Sequence, residues 1–423
     1  MDILIRQALV SDDQPPVDIA IRHGRIAAID RRIDGSAQRV IDAGGRAAIS
    51  GLLEPHIHLD KALLDTRMPN RSGTLEEAIR VTGLLKRQQT REDVLDRSRR
   101  VLDMAVRHGT IALRCHPDVD PIQGLVGVET AIELKEEYAH LVDLQVVAFP
   151  QEGILKSPGT LDLMREAIRL GADVVGGCPY NEHTWEDAVA HVDAVFDLAL
   201  ATGCDIDMHA DFADDVSDLR FSAAAYIARR TIESGYQGRV TLGHVTSLGA
   251  LAPDEAAGVI AALREARISI VTLPATDLYL GGRKEPTLNP RRALTPIRAL
   301  REAGVNVAFS SNNIRNAFTP FGTADPLQIG LLLAHTAQLG SPDDQAFVLQ
   351  MCTRAAALAM GIARDYGIAV GNRADLVILD TLRISDALLD LPPRLWVIKR
   401  GRVTVETRHS CHIHRVFRKD LAS

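Results

Sequence analysis

Short apolar runs alternate with amphipathic stretches through the middle of the chain. The runs are rich in Val, Ile and Leu, as buried strands are, and the stretches repeat apolar residues at helical spacing. Such alternation predicts parallel strands that are joined by crossover helices. The first predicted strand leads into His56 and His58. The other strands are predicted at 110–115, 141–149, 173–176, 205–209, 240–244, 268–273 and 305–310.

Eight strands with intervening helices, spread over roughly 260 residues, favour a closed (β/α)8 barrel of the TIM type, an α/β fold. An open doubly wound sheet is the alternative. However, no G-x-G-x-x-G motif follows the first strand, so a dinucleotide-binding sheet has no support. Between the strands, helices are predicted at 75–89, 128–138, 161–170, 185–201, 218–234, 253–266 and 296–303.

Both ends of the chain show a different pattern, in which short alternating strands are separated by tight turns. Short and evenly spaced strands are typical of small antiparallel sheets. We therefore predict a small β-sandwich domain built from residues 1–49 and 366–415, with a barrel domain at 50–365 between its halves. The strands of this sandwich are predicted at 3–5, 17–21, 26–29, 40–42, 374–379 and, as a hairpin, 395–403.

Composition and charge narrow the classes of function. The 423 residues are 46% hydrophobic and 24% charged, as in ordinary globular proteins. The net charge of −7 includes no basic block, so a nucleic-acid partner is not expected. We expect no membrane partner and no signal peptide, since the chain has no apolar run of sufficient length. The five scattered cysteines form no C-x-x-C pair, which favours free thiols and predicts a cytoplasmic protein.

Histidines lie at the ends of several predicted strands. His56 and His58 are two residues apart, so their side chains project to the same side of a strand. His209 and His244 end the fifth and sixth strands. Because the carboxyl ends of barrel strands meet at one mouth, we expect these imidazoles to gather there. Such a cluster is typical of a divalent metal site.

Longer motifs accompany these histidines. They are E-P-H-I-H-L-D at 54–60, S-G-T-L at 72–75, V-V-A-F-P-Q-E-G at 146–153, G-A-D-V-V-G at 171–176, F-G-T-A at 321–324 and Y-G-I-A-V-G at 366–371. With them the chain resembles the amidohydrolase superfamily, and within it the cytosine deaminase-like group. The segment 310–315 and the neighbourhood of Lys61 also resemble the N-isopropylammelide amidohydrolases and other N-alkylammelide enzymes, a sister branch that acts on s-triazines.

This resemblance implies one divalent metal ion, zinc or iron, as the cofactor. It implies that His56, His58 and His209 are metal ligands, and that His244 contacts the metal-bound water and the substrate. It also implies that Gln151 binds the ring amide of the substrate. An amide side chain suits that task because it presents a donor and an acceptor together.

Two positions depart from the family pattern. Asn312 replaces the strand-eight aspartate that binds the metal and accepts the proton of water, and Phe212 replaces a glutamate that protonates the ring. Asn312 still offers a carbonyl oxygen to a metal, but it is not a base near neutral pH. Asp211 and His244 are therefore the candidate replacements in the proton path. Phe212 indicates a substrate other than cytosine.

Further residues near the strand ends have candidate roles. Phe318 lies near the position of an aromatic residue that walls the substrate pocket in the family. His116 either contacts the substrate or supports Asp118 or a metal ligand by a hydrogen bond. Asp277 and Arg283 follow the seventh strand, from which they could reach the substrate over the rim of the barrel, although a salt bridge within the loop is the simpler prediction.

The sequence thus predicts a metal-dependent hydrolase, a deaminase or amidohydrolase. It would cleave a C–N bond of a small nitrogen heterocycle, such as a pyrimidine or an s-triazine, by attack of metal-bound water. A ring-opening cyclic amidase and a heterocycle-binding homologue with impaired catalysis are the alternatives. Asn312 is also consistent with an engineered substitution in an otherwise standard enzyme. A homo-oligomer is expected from the resemblance.

Overall fold

The computed structural model describes residues 1–283, 288–292 and 294–414. Its strands are β1 Ile3–Ala8, β2 Val17–Arg22, β3 Arg25–Asp30, β4 Arg39–Asp42, β5 Ala48–Ser50, β6 Leu52–Ile57, β7 Thr110–Cys115, β8 Asp143–Ala148, β9 Val174–Gly177, β10 Asp205–Ala210, β11 Val240–His244, β12 Ser269–Thr272, β13 Asn306–Phe309, β14 Leu376–Leu379, β15 Arg394–Lys399 and β16 Arg402–Glu406. Its α-helices are α1 Leu75–Lys86, α2 Arg91–Arg107, α3 Val126–Glu137, α4 Thr160–Leu170, α5 Trp185–Thr202, α6 Ala224–Glu233, α7 Pro253–Glu265, α8 Pro274–Leu280, α9 Ile297–Glu302, α10 Pro326–Thr336, α11 Pro342–Met351, α12 Arg354–Ala359 and α13 Asp386–Leu389.

The strands β6 to β13 form one parallel sheet in which each strand lies beside its neighbours in the chain. The last strand returns to the first through a parallel bridge between Ile57 and Asn312. There the amide N–H of Asn312 donates to the carbonyl of His56 at 3.1 Å, and the N–H of His58 donates to the carbonyl of Asn312 at 2.9 Å. These bonds close the sheet and confirm the predicted (β/α)8 barrel.

The barrel strands are buried on both faces because helices cover their outer side. In β7 every residue is buried. Ile111, Leu113 and Cys115 belong to the apolar core of the barrel. Arg114, on the opposite side of the strand, reaches Asp207 of β10, with 2.8 Å between Nη1 and Oδ2. The barrel interior is therefore polar at this level, directly beneath the strand ends.

Glu54 of β6 supports the closure of the barrel. Its carboxylate is fully buried and accepts hydrogen bonds from the hydroxyl of Ser310 and from the N–H and hydroxyl of Ser311, the last two at 2.9 and 2.5 Å. The Ser310 hydroxyl also accepts from the N–H of His56 at 3.0 Å. Burial raises the pKa of Glu54 above its ordinary value, although these bonds oppose the shift. Glu54 thus holds the segment before Asn312 against β6.

The two ends of the chain form a small β-sandwich, as predicted. One sheet has the order β3-β2-β1-β4, and the other has the order β16-β15-β14-β5. The strand β5 belongs to the N-terminal segment but pairs with β14, with Ile49 opposite Val377. An apolar core that includes Ile5, Ile19 and Ile378 lies between the sheets. The domain boundaries themselves stay a prediction, and residue 415 lies outside the described residues.

Some helices differ from the sequence prediction. The stretch predicted at 218–234 contains a short 3₁₀ turn, Leu219–Phe221, before α6 begins at Ala224. Asp211 explains this late start, since its carboxylate accepts from the N–H groups of Ala223 and Ala224 at 2.7 and 3.0 Å. Side-chain oxygens that satisfy the free N–H groups of a first turn stabilise a helix start.

In the part of the chain that the structure describes, no helix combines the length and the hydropathy needed to cross a bilayer.

We predict that Glu54→Ala lowers the free energy of unfolding by about 3 kcal/mol, because buried hydroxyl and N–H groups lose their acceptor. Glu54→Gln keeps the volume and one acceptor, so it should recover part of the loss. The control is Glu166→Ala, which removes an exposed pair with Arg169 and should leave the unfolding midpoint unchanged. Thermal unfolding followed by circular dichroism measures all of these variants. Equal midpoints for Glu54→Ala and the control would contradict the proposed support.

Candidate active site and metal centre

Three histidine side chains converge at the carboxyl end of the barrel. His56 lies in β6, His58 directly follows it, and His209 lies in β10. All three side chains are buried. The Nε2 atom of His209 is 3.0 Å from Nε2 of His56 and 3.1 Å from Nε2 of His58. These nitrogens are close enough together to hold one metal ion.

The protonation of these rings fits a bound cation. Nδ1 of His58 lies 2.8 Å from the carbonyl oxygen of His116, which only accepts, so the ring proton is on Nδ1 and Nε2 carries a lone pair. Burial, together with neighbouring positive groups, lowers the pKa of His56, His58 and His209 well below the ordinary value. The three rings are therefore neutral at neutral pH. Lone pairs that face each other at such distances are what a divalent ion requires.

Asn312 adds an oxygen to this group. It follows β13 and is buried, and its Oδ1 has no hydrogen-bond partner among the described residues. A buried carbonyl oxygen without a partner is costly, and a cation would satisfy it. Three imidazoles together with one amide oxygen would be a donor set that suits zinc or iron.

The strand next to β10 leaves room for the His56 ring. Gly243 of β11 lies opposite His209 in the register of the sheet. A Cβ at Gly243 would lie 3.0 Å from Cε1 of His56. That distance is shorter than ordinary van der Waals contact, so a side chain at this position would push the imidazole out of place.

His116 and Asp207 lie behind the imidazoles. The ring of His116 stacks on that of His56, with centroids 3.8 Å apart. Nε2 of His116 is 3.2 Å from Oδ1 of Asp207, and Nδ1 of His56 is 3.8 Å from the same oxygen. Asp207 in turn pairs with Arg114. The ring nitrogens of His116 have no hydrogen-bond partner among the described residues, whereas its backbone carbonyl accepts from Nδ1 of His58. The predicted hydrogen bond to Asp118 is therefore not observed, and the support that His116 gives to a predicted metal ligand comes from its backbone and its stacked ring. His56, His116 and Asp207 are also close enough together to hold a cation.

His58 and His209 line a pocket at the mouth of the barrel. Most of the predicted site residues line this pocket, whereas His56, His116 and Asp211 do not. Its walls combine aromatic and polar side chains, as small-molecule sites do. The lining residues are His58, Lys61, Leu75, Gln151, Tyr180, His209, Phe212, His244, Thr276, Asn312, Asn313 and Phe318.

His244 is held by a buried carboxylate. Its Nδ1 lies 2.6 Å from Oδ1 of Asp277, and the other carboxylate oxygen accepts from the N–H of Leu273 at 3.3 Å. Burial raises the pKa of Asp277, while His244 and the N–H of Leu273 oppose the shift. On its other side, the His244 ring stacks on Phe212 with centroids 4.3 Å apart. Because Nδ1 is occupied, Nε2 is the nitrogen that remains for the pocket.

Asp211 points away from the pocket. Both of its carboxylate oxygens accept from the first turn of α6, as described above. Burial raises its pKa to about 6 even though these backbone bonds oppose the shift. This geometry supports a structural role for Asp211 at the start of α6. Among the described residues, no contact of its carboxylate with a pocket residue supports the predicted catalytic role.

Three residues of this region have left-handed backbone conformations. The φ angles are 54° at Asp211, 71° at His244 and 58° at Asn312. Non-glycine residues adopt this region at a cost, and such strained positions cluster at functional sites. Each of the three residues follows or ends a barrel strand, so the unusual φ turns the chain sharply at the mouth.

Comparison with known proteins agrees with this geometry. A family model described as the amidohydrolase family matches residues 73–405. The chain belongs to the amidohydrolase family. N-isopropylammelide isopropyl amidohydrolase of Pseudomonas sp. strain ADP is 32% identical over 415 residues, which cover 96% of this chain and 97% of that protein. This amidohydrolase is therefore a hydrolase that acts on carbon–nitrogen bonds other than peptide bonds.

Two more relatives show the same relationship. Pterin deaminase of Rhizobium rhizogenes is 32% identical over 351 residues, which cover 82% of this amidohydrolase and 78% of that enzyme. The crystal structure of 5-methylcytosine deaminase from Klebsiella pneumoniae, liganded with 5-fluorocytosine, superposes with a TM-score of 0.91 at 31% identity. The superposition covers 97% of this amidohydrolase and 99% of that chain.

Sequence reasoning missed two groups that the fold brings to the site. Asp277 was expected in a loop salt bridge, yet it lies in α8 and bonds His244. Lys61 had no role beyond its resemblance to the N-alkylammelide enzymes, yet it lines the pocket. A signal for both residues was present in the sequence. Lys61 comes soon after the strand that carries His56, and Asp277 comes soon after the next strand beyond His244.

We predict that the purified protein binds about one zinc ion per chain. His209→Ala should lower the zinc affinity at least ~100-fold, because even residues that only support a ligand contribute 10–100-fold. Titration against a chromogenic chelator measures the affinity. Zinc should also raise the thermal unfolding midpoint of the wild type but not that of the variant.

The matched control for this prediction is His183→Ala, which removes an exposed histidine. It should bind zinc as the wild type does. Equal zinc affinity for His209→Ala and the control would show that these imidazoles do not form the metal site.

Proposed function

We propose that the protein hydrolyses a C–N bond of a small nitrogen heterocycle, such as a pyrimidine or an s-triazine, with one divalent ion as its cofactor. His56, His58 and His209 would hold the ion, with Oδ1 of Asn312 as a further ligand. The observation that carries the proposal is the convergence of three neutral imidazoles beside a pocket with aromatic walls. A zinc or iron ion bound there would lower the pKa of a water molecule towards ~7 and so supply a nucleophile.

The relatives support a heterocyclic substrate. They are named for N-isopropylammelide, pterin and 5-methylcytosine, all of which are nitrogen heterocycles. The pocket is lined by the aromatic side chains of Phe212, Phe318 and Tyr180, which offer apolar surface to a heterocyclic ring. Its polar groups, Gln151 and Asn313, can orient such a ring by hydrogen bonds.

The proton path proposed here runs through His244. Asp277 accepts a hydrogen bond from Nδ1–H of His244, so Nε2 carries the lone pair and is the proton acceptor that faces the pocket. It accepts a proton from the attacking water and delivers one to the leaving nitrogen. Asp277 stabilises the imidazolium formed between these steps, as the carboxylate of a catalytic triad does. Asp277 is a positioning residue, because it acts through His244.

Asn312 and Phe212 are consistent with this path. Oδ1 of Asn312 is a ligand oxygen without base character, so the base must lie elsewhere. Phe212 covers one face of the His244 ring and offers no proton. A path through His244 needs neither of the two carboxylates that these positions lack.

Two broader predictions accompany the proposal. A cytoplasmic location rests on the cysteines of the chain, which are free in the structure. A homo-oligomer rests on the resemblance to the family. Cell fractionation and sedimentation measure these properties.

We expect the zinc- or iron-loaded protein to release ammonia or an alkylamine from at least one member of a panel of aminopyrimidines, pterins and N-alkylamino s-triazines. The kcat/KM should reach at least ~10⁴ M⁻¹s⁻¹ on its best substrate. An enzyme-coupled ammonia assay and mass spectrometry of the products make the measurement. His209→Ala serves as the inactive control. A carboxylate product without free amine would instead indicate ring opening, and ligand binding without turnover would refute hydrolysis.

We predict that Asp277→Asn lowers kcat by ~10²–10⁴ while KM changes less than about threefold, because the variant disturbs a proton transfer rather than binding. Asn312→Asp should change kcat less than about tenfold, since His244 already moves the proton. Steady-state kinetics on the best substrate of the panel measures both effects.

Asp254→Asn, an exposed change in α7, is the control for this pair of variants. It should have wild-type kinetics. A gain of ~10² or more in Asn312→Asp would contradict the path through His244 and indicate that a carboxylate at position 312 is the base that the site lacks.

A further inference from the structure

The segment beyond β16 carries four side chains that can bind a metal, within six residues of sequence. They follow the pattern H-x-C-H-x-H and are His409, Cys411, His412 and His414. We call residues 409–414 the tail tract. Short tracts rich in histidine and cysteine are typical of metal-binding segments, because imidazole nitrogen and thiolate sulfur are ligands that zinc prefers. The tail tract therefore contains enough ligands for one tetrahedral ion, and none of them belongs to the barrel site.

The tail tract is accessible to an ion from solvent. The strand β16 ends at Glu406, and the N–H of Thr407 donates to the carbonyl of Leu395 at 2.9 Å. Among the described residues, no backbone hydrogen bond holds residues 408–414, and all of these residues are exposed. The backbone of the tail tract can therefore turn around an ion without losing a hydrogen bond to the rest of the described chain.

The first ligand of the tract lies beside a carboxylate. Nε2 of His409 is 3.2 Å from Oδ2 of Asp380, which directly follows β14. Oδ1 of Asp380 accepts from Nε of Arg46 at 2.8 Å, so the carboxylate is fixed against the other end of the chain. A carboxylate next to Nε2 favours the ring proton on that nitrogen, as in the carboxylate–histidine–zinc arrangement. Nδ1 of His409 is then the nitrogen that remains for an ion.

The other three ligands are available. Among the described residues, the side chains of Cys411, His412 and His414 form no hydrogen bond and no ion pair, and Cys411 is a free, exposed thiol. The ligand atoms of the described tract do not lie close enough together to hold an ion. Binding must therefore order the segment, as it does in small metal-binding domains.

We propose that the tail tract is a second metal site, which binds one zinc-class ion through the sulfur of Cys411 and the imidazoles of His409, His412 and His414. The thiol of Cys411 releases its proton to solvent when the sulfur binds the ion. Magnesium and calcium are not ligands of this site, because they require oxygen donors. The inference goes beyond the proposed hydrolysis and involves no residue of the barrel site.

The tail site should be weaker than the barrel site. The barrel imidazoles are already held together, whereas the tail tract loses conformational entropy when it closes around an ion. The one zinc ion that we predict for the purified protein is thus the ion of the barrel. The tail tract should fill in a second step, when the metal is supplied in excess.

Cobalt(II) is the probe that separates the two sites. A thiolate bound to cobalt gives a charge-transfer band in the near ultraviolet, which imidazole and oxygen ligands do not give. The proposed barrel site has no cysteine ligand, so this band reports the tail site alone. Reduced, chelator-treated protein is titrated with cobalt, and excess zinc is then added. We expect the band to appear in the second step and to disappear when zinc replaces cobalt.

Variants locate the band. Cys411→Ser should abolish it, and by equilibrium dialysis the wild type should bind about one cobalt ion more per chain than this variant. The double variant His412→Ala/His414→Ala should raise the cobalt concentration at half-saturation at least ~10-fold, because it removes two ligands. Cys204→Ser, at a half-buried thiol elsewhere, and His183→Ala are the matched controls and should keep the wild-type band.

Several results would overturn the inference. They are the absence of the band from the wild type, its persistence in Cys411→Ser, and equal half-saturation of the double histidine variant and the wild type. A stoichiometry of one tail ion per two chains would also overturn the single-chain site. His209→Ala should keep the band, and its loss there would refute a site that is separate from the barrel. Turnover of heterocycles tests the proposed function independently of all these results.

Discussion

The hydrogen bonds between the ends of β6 and β13 are the constraint on which the site depends. They join the backbone of Asn312 to that of His56 and His58, and so they close the barrel at the level of the imidazoles. Glu54 reinforces the same junction through buried hydroxyl groups. Because both strands are fixed there, the imidazoles of His56 and His58 and the side chain of Asn312 are held near one another. A gap at this junction would separate the ligands even if every side chain were retained.

The polar groups below and beside the pocket occur as paired charges. Arg114 binds Asp207 beneath His56, and Lys61 shares Asp118 with Lys86. Burying unpaired charges costs several kcal/mol each, so these groups are tolerated only because each one has partners. Their energetic contribution to stability is small for the same reason. Their main consequence is geometric, since each pair fixes the position of a group that supports an imidazole or forms a wall of the pocket.

The chemistry that we propose for the site takes account of the residues at positions 212 and 312. An amide and a phenyl ring stand where the family pattern has carboxylates, and the buried pair of His244 and Asp277 offers another route for a proton. The Phe212 ring stacks on His244, so it covers one face of the histidine and offers no proton. The pocket is consistent with a hydrolase whose proton-transfer groups have moved to a neighbouring strand end.

The alternation of apolar runs was sufficient to predict the barrel and the sandwich, because period and strand length are local properties of the chain. The H-x-H spacing likewise placed His56 and His58 on one side of a strand, and motif resemblance identified His209, Gln151 and Asn312. Local patterns could not show that Asp277 bonds His244, that Asp211 caps α6, or that Lys61 donates to Gln151. Each of these depends on the direction of a side chain across 12 to 90 residues of sequence, which only the closed barrel determines. The amino-acid sequence therefore determined the elements and the inventory of reactive groups, and the tertiary structure decided which of those groups face the pocket and which hold the fold.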